Sequence, residues 1–377
     1  MTSRERVLTT FEHREPERVP LWFGMSNRFV AAACQALNLA DEEALRVRLG
    51  DDFRRVFAIY RTPATPLPDG VVSRTIFGVD RLGYEYGQPA AHPLADATLR
   101  EVNNYAWPDP ACVDVAGLRA AAARWHGDYA ILGGDWSPFW HDAIDLLGME
   151  NLYLKMHDDP ALVDALMTHL VDFYFESSRR IFDEAGKLID IFFIGNDFGS
   201  QTGPLLGPVL FERFVLPHLR RLIGLGHEYG LKVQLHCCGG FAPLIPALIG
   251  AGLDALHAVQ STCLGMDLRA LKAEFGRRIV FNGGIDSHHC LIEGTTESVR
   301  RDTRAVLDIM MPGGGFVAGA SHDWILEETP VANVVAMADA VREFGVYGPH
   351  RRRENPLCRM PGHARRRPGH GLARRPG

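Results

Sequence analysis

No apolar run in the 377-residue chain approaches the roughly 18 residues that cross a bilayer, which argues against an integral membrane protein. The opening Met1-Thr2-Ser3-Arg4-Glu5-Arg6 lacks the apolar core of a secretory leader. Cysteine is sparse. The seven residues Cys34, Cys112, Cys237, Cys238, Cys263, Cys290 and Cys358 are odd in number and scattered, so they form no disulfide framework. They suit a reducing cytoplasm, where a Cys/His cluster points to metal binding or catalysis. A glycine-rich dinucleotide loop is also missing, because the first apolar strand ends in Phe23-Gly24-Met25-Ser26.

The formal charge of −6 conceals an asymmetry. From Pro349 onward nine arginines face one glutamate, about +8, which leaves the preceding body near −14. Residues 349–377 are rich in Arg, Pro and Gly and have no apolar periodicity. They are expected to be a disordered tail. No aromatics interleave its arginines, so no nucleic-acid partner is expected. Residues 1–348 are read as one domain.

Short apolar stretches alternate with helical pattern along that domain. They are Val19–Phe23, Val56–Tyr60, Tyr129–Leu132, Ile189–Ile194, Lys232–Leu235, Ala255–Val259, Arg278–Phe281 and Gly315–Gly319. Eight such strands predict an α/β fold of the (β/α)8 TIM-barrel type. The Pro- and Gly-rich segment 61–108, with alternating Tyr84-Glu85-Tyr86, predicts a β-hairpin excursion after strand 2.

Chemistry in such a barrel sits where strands end and the following loops begin. The most informative end is Gln234-Leu235-His236-Cys237-Cys238-Gly239-Gly240. Alternate strand residues share a face, so His236 and Cys238 converge while Cys237 turns away. An imidazole and a thiol brought together this way form half of a zinc site, or an acid/base and nucleophile pair. Other strand ends carry Arg28, Asp135, Trp136, Asn196, Asp197, Gln201, His257, Asp286, His322 and Asp323. Asn27, Gln260 and Asn282 read as polar caps. For a third zinc ligand the first choice is His322, followed by Asp323, Cys263 and His257. His288-His289-Cys290 reads as surface or packing.

Several segments together carry a family likeness from about residue 3 to 347. They are Arg4-Glu5-Arg6-Val7 with Pro16-Glu17-Arg18-Val19-Pro20, and Asn196-Asp197-Phe198-Gly199-Ser200-Gln201 with Gly203-Pro204. To these add Leu216-Pro217-His218, the His236-Cys237-Cys238-Gly239 end, Phe281-Asn282-Gly283-Gly284-Ile285-Asp286, and Gly313-Gly314-Gly315-Phe316 through Pro330 to Asn333. The chain resembles the uroporphyrinogen decarboxylase superfamily, which implies the (β/α)8 barrel. True decarboxylases of that family need no cofactor and grip their substrate's carboxylates with an arginine-rich loop after the first strand. Here that loop reads Gly24-Met25-Ser26-Asn27-Arg28, with a single arginine, which counts against a porphyrinogen substrate.

The other branch resembles methylcobalamin:coenzyme M methyltransferases, which bind zinc through a His-x-Cys at the fifth strand and a cysteine near the eighth. His236-x-Cys238 matches the first part; Ala320-Ser321-His322-Asp323 stands where the cysteine would be. The resemblance therefore implies zinc-dependent methyl transfer between a corrinoid or methylated small molecule and a thiol-like acceptor. In that reading His236, Cys238 and His322 are ligands, and Asp197, His322 and Asp135 are catalytic. Gln201, Asn196, Trp136, Arg28, His257 and Asp286 would bind substrate. The alternatives are a cofactor-free decarboxylase, with Arg28 or Arg61 holding a carboxylate and Asp197 or His322 donating a proton, and a corrinoid or tetrapyrrole binder without turnover. Candidate partners are a small-molecule substrate, a corrinoid protein and a second copy of the chain. No membrane association is expected.

Overall fold

The computed structural model describes residues 1–62, 65–83 and 87–348; the expected tail and Tyr84-Glu85-Tyr86 lie outside the described residues. Seven parallel strands form one sheet in sequence order: β1 (Phe53–Arg55), β2 (Ala130–Gly133), β3 (Ile191–Gly195), β4 (Lys232–His236), β5 (Ala255–Val259), β6 (Val280–Ile285) and β7 (Phe316–Ala320). From β2 to β7 every strand residue except the half-buried Lys232 at the start of β4 is buried, as expected for a parallel sheet covered on both faces. The Val19–Phe23 segment spans the remaining gap. Its Trp22 N–H donates to the Ala318 carbonyl at 2.9 Å, the Ala318 N–H donates to Pro20, and the Asp52 N–H donates to the Leu21 carbonyl. The first of the eight stretches read from the sequence therefore links the two edges of the sheet and completes the TIM-barrel arrangement.

Between β1 and β2 the chain leaves the barrel for a three-stranded antiparallel sheet, Val71–Arg74, Asp80–Leu82 and Gln88–Pro89, with β-turn residues at its corners. Two helical stretches divide where local chemistry demands it. The stretch 27–49 divides into Asn27–Leu37 and Glu42–Leu49, because Asn38 adopts the left-handed conformation that closes the first and Asp41 caps the second. The long pattern from 138 becomes Phe139–Leu147, Met149–Asp158 and Pro160–Ala185, with Asp159 capping the last and Pro160 opening its first turn.

The floor of the barrel is held by charge. Asp52 is fully buried just before β1 and accepts from Ser3 Oγ (2.7 Å), Arg6 Nη1 (2.5 Å), both Arg18 Nη atoms (2.9 Å each) and the Leu21 N–H (2.8 Å). Arg6 is also bonded to Glu17. The Arg6, Glu17 and Arg18 signature near the N-terminus is thus a lock between the first helix, Ser3–Phe11, the Val19–Phe23 segment and β1. At the other end of the sequence, Asn333 donates to the Leu291 and Gly294 carbonyls at 2.9 and 2.7 Å, tying the last helix, Val331–Phe344, to the turn at Ser287–Ile292.

The barrel interior follows the two-residue period of its strands. Phe53, Ala130, Leu132, Ile191, Phe193, Ala255, Val280 and Val317 pack inside with Trp22 and with Val7 and Phe11 of the first helix. Trp22 meets Phe53 and Phe193 edge-on, at ring separations of 5.6 and 6.1 Å. Each such side chain contributes roughly 1.5–3 kcal/mol by burial. Two residues beyond Phe53, Gln234 and Ala255, the same inward parity delivers Arg55, His236 and His257 to the barrel's upper layer.

Candidate metal centre at the barrel mouth

Register aligns the site. Gly195 of β3 and His257 of β5 both pair with His236 of β4, so the three lie level across adjacent strands. Gly195 leaves room for an indole: a Cβ there would sit 1.8 Å from Trp136 Cζ2. Trp136 covers this position and tilts against the His236 ring at 5.5 Å. After β4 the chain reaches Gly239 at φ +84°, where an added Cβ would meet the Gly199 carbonyl carbon at 2.4 Å. The Cys238-Gly239 turn thus packs directly on the Gly199 backbone, which brings the loop carrying Asp197 to the sulfur.

The Cys238 Sγ lies 3.4 Å from His236 Nε2, and the Cys238 N–H donates to Asp197 Oδ1 at 2.6 Å. Asp197 Oδ1 is 3.5 Å from His236 Nε2, and its Oδ2 is 3.3 Å from His141 Nε2. One ligand atom from each of Asp197, His236 and Cys238 falls within 4.8 Å of the others. This N/O/S set with one open position fits zinc. His236, His257 and Asp323 form a second, fully buried trio. Among the described residues no such trio contains His322, and the structure brings Asp197 to the His-x-Cys pair instead.

Burial raises the Cys238 thiol far above its ordinary value, and the Asp197 charge adds to the shift. Without a counter-cation this cysteine is a neutral thiol. Burial also opposes ionisation of Asp197. The His141 hydrogen bond, the neighbouring His236 and His141 imidazoles and the Cys238 amide outweigh it, holding that carboxyl well below the usual range. His141 shifts the other way: burial lowers it, but the bond to Asp197 prevails and raises it.

Behind His236 lies a polar relay. Its Nδ1 is 3.1 Å from His257 Nδ1, and His257 Nδ1 is 3.9 Å from Asp323 Oδ1. Burial lowers both imidazoles, so both are neutral at pH 7 and share one proton across that contact. For His236 Nε2 to serve as a ligand, its Nδ1 must be the donor. His257 then carries its proton on Nε2, which is buried with no polar acceptor and lies in a ring standing edge-on to Trp22 at 5.7 Å. Asp323 is held ionised by Arg55, whose Nη1 is 3.1 Å from Oδ2, against the opposing effect of burial.

Two cavities flank the centre. One, of about 300 Å³, is lined by Arg55, Phe57, Tyr60, Asp135, Trp136, Asp142 and Phe193 among others. The second, of about 230 Å³, is lined by Gln201, Gln260, Cys263, Asp286, His288 and His322 among others. His322 engages Trp324 through Nδ1, at 2.9 Å from its carbonyl. Asp286 caps the His288 N–H at 2.9 Å. Gln260 Oε1 accepts from the Gly239 N–H at 2.7 Å, which steadies the Cys238 turn.

The other expected residues are placed as follows. Asn196 is fully buried between the Trp140 N–H and the Ser137 carbonyl, where it braces the loop after β3. Asp135 is buried beneath Tyr60 and Ser177, which donate to it at 2.6–2.7 Å, and burial raises its carboxyl despite those bonds. Arg28 is exposed and paired with Glu327, and Arg61 is exposed and paired with Asp114. His288 and His289 are exposed beside Glu293, while Cys290 is buried. Sequence reasoning missed His141 and Arg55.

A parallel barrel with a His/Cys/Asp cluster in its C-terminal mouth is the architecture of a barrel enzyme with a metal-type centre. The family described as Uroporphyrinogen decarboxylase (URO-D) matches residues 81–344, more than half of the chain, and the chain belongs to that family. Among curated proteins it is 24% identical over 195 residues to "Uroporphyrinogen decarboxylase" of Syntrophotalea carbinolica, covering 50% of this chain and 51% of that one. It is 22% identical over 183 residues to "Methylcobamide:CoM methyltransferase MtbA" of Methanosarcina mazei, covering 48% and 50%. The chain thus spans about half the length of the curated relatives it matches. A solved "methyltransferase from Methanosarcina mazei" shares the fold at TM-score 0.66 and 17% identity, covering 91% of this chain and 99% of that one. The family's relatives are enzymes, methyltransferases among them. Among the described residues no helix is long and apolar enough to cross a membrane.

Proposed function

We propose that the chain catalyses zinc-dependent methyl transfer from a methylated corrinoid, free or carried by a partner protein, or from a methylated small molecule, to a small thiol or similar acceptor. The observation that carries this reading is the closeness of the Asp197, His236 and Cys238 ligand atoms. Zinc held there would keep an acceptor sulfur as thiolate, the form that attacks a methyl group. The chain's own residues do the rest. Asp197 positions the Cys238 backbone and pairs with His141, which fixes the carboxylate's orientation. His257 orients His236 through Nδ1. His322, on the wall of the second cavity, is assigned to receive the proton that the thiol gives up, with Gln201 and Asp286 as substrate contacts on the same wall. Asp135, enclosed by its own donors, is reassigned from proton handling to supporting the loop of Trp136.

The test is methyl transfer from methylcobalamin to a thiol panel, wild type beside Cys238→Ala. Zinc-dependent product in the wild type alone supports the reading, and full activity in Cys238→Ala refutes it. Cofactor-free decarboxylation is the second reading, favoured by the decarboxylase relative and by a buried arginine in the mouth. Turnover that survives thorough chelation would select it.

A further inference from the structure

We infer that Arg55 is the anchor for a carboxylate on the substrate, so that the molecule acted on is a small organic acid whose anionic head sits in the larger cavity. The Arg55 side chain is only 9% exposed. Its guanidinium lies over Trp136, Phe57 and Phe193, with Cζ at 4.2, 4.4 and 4.8 Å from the ring centroids. Among the described residues only Nη1 finds an acceptor, in Asp323. Nε and Nη2 have none, and neither is sealed from solvent, so both stay open to a ligand at the cavity wall. Those two N–H groups form the edge that takes a carboxylate in parallel, two-bond geometry. The neighbouring Arg54 shows the pattern complete: its Nε and Nη2 bind the two Glu43 oxygens at 2.8 and 2.6 Å. In Arg55 the same edge is left for a ligand.

The cavity suits an anion with an apolar body. Its carboxyl groups do not compete for Arg55: Asp135 is occupied by Tyr60 and Ser177, and Asp142 by Tyr174 at 2.6 Å. Burial also pushes Asp142 up to about 7. Trp136 contacts both Arg55 and His236, so the head site adjoins the proposed reacting centre through one indole. Only this last point rests on the proposed reacting centre; carboxylate capture by Arg55 stands without it.

The experiment is isothermal titration of the purified protein with benzoate, phenylacetate and 3-phenylpropionate, each paired with its uncharged amide. Wild type is expected to bind at least one acid and its amide at least tenfold more weakly. Arg55→Gln and Arg55→Lys, the second keeping charge without the fork, are each expected to lose at least tenfold for the acid. Cys238→Ala is expected to retain acid binding, so loss of metal in that variant bears on the reacting centre alone. Failure of all three acids to bind, equal affinity for acid and amide, or undiminished binding in both Arg55 variants overturns the inference.

Discussion

Replacing Asp52 by alanine removes a fully buried carboxylate that accepts five hydrogen bonds from Ser3, Arg6, Arg18 and Leu21. The arginines left behind are themselves largely buried, with side chains 9% and 18% exposed. Breaking a buried ion cluster by deleting one partner costs about 3–5 kcal/mol. Arg6 keeps Glu17 and Arg18 keeps the Val19 carbonyl, so the lower end, about 3 kcal/mol, is expected. At a urea slope of about 3 kcal/mol per molar, the unfolding midpoint falls by about 1 M. Asp52→Asn keeps an acceptor for Leu21 and should fall between. A midpoint for Asp52→Ala within about 0.3 M of wild type, at unchanged slope, would refute the claim that this cluster locks the barrel floor.

Gly195→Ala places a Cβ on the Trp136 ring, so it should destabilise by about 1–3 kcal/mol and alter tryptophan emission; unchanged emission and stability would contradict the packing. Burial pushes His218 down to about 4 from its ordinary 6.5, so the unfolded chain binds its proton first as the pH drops. Stability is therefore intact near pH 7 and lost towards pH 4, by no more than about 3 kcal/mol for this part-exposed ring. His218→Phe should flatten the pH dependence of the urea midpoint, and an identical slope would refute the assignment. His141→Ala should weaken zinc binding about 10- to 100-fold in competition with a chromophoric chelator; an unaltered affinity would show that His141 does not support Asp197. Asn333→Ala should cost about 2 kcal/mol and speed amide exchange in residues 287–294, whereas unchanged exchange would separate that turn from the last helix.

Much of the fold was readable because the barrel strands are apolar runs ending at glycines and polar residues. The period of two puts His236 and Cys238 on one face. The second strand was displaced for an instructive reason. The run 56–60 looked like the strand, but pairing occurs at Phe53–Arg55, and Phe57 and Ile59 are exposed. Two arginines hid the true strand. Arg54 is buried by pairing with Glu43 and lying over Tyr129 at 3.7 Å, and Arg55 faces the mouth. Sites where function breaks the apolar pattern are where pattern reading slips. His141 was hidden because it sits in a buried helix, Phe139–Leu147, rather than at a strand end. Its polar neighbours Asp142 and Asp145 on that helix were the available signal. The juxtaposition of Asp197 with Cys238 depends on the Gly199–Gly239 backbone contact, which no single-strand periodicity encodes.

Metal content by inductively coupled plasma mass spectrometry, on wild type and Cys238→Ala purified side by side, tests the central claim most directly. About one zinc per chain in the wild type, lost in the variant, is the predicted result. Zinc absent from a wild-type protein purified and reloaded under reducing conditions, or zinc retained in Cys238→Ala at the wild-type level, would contradict it.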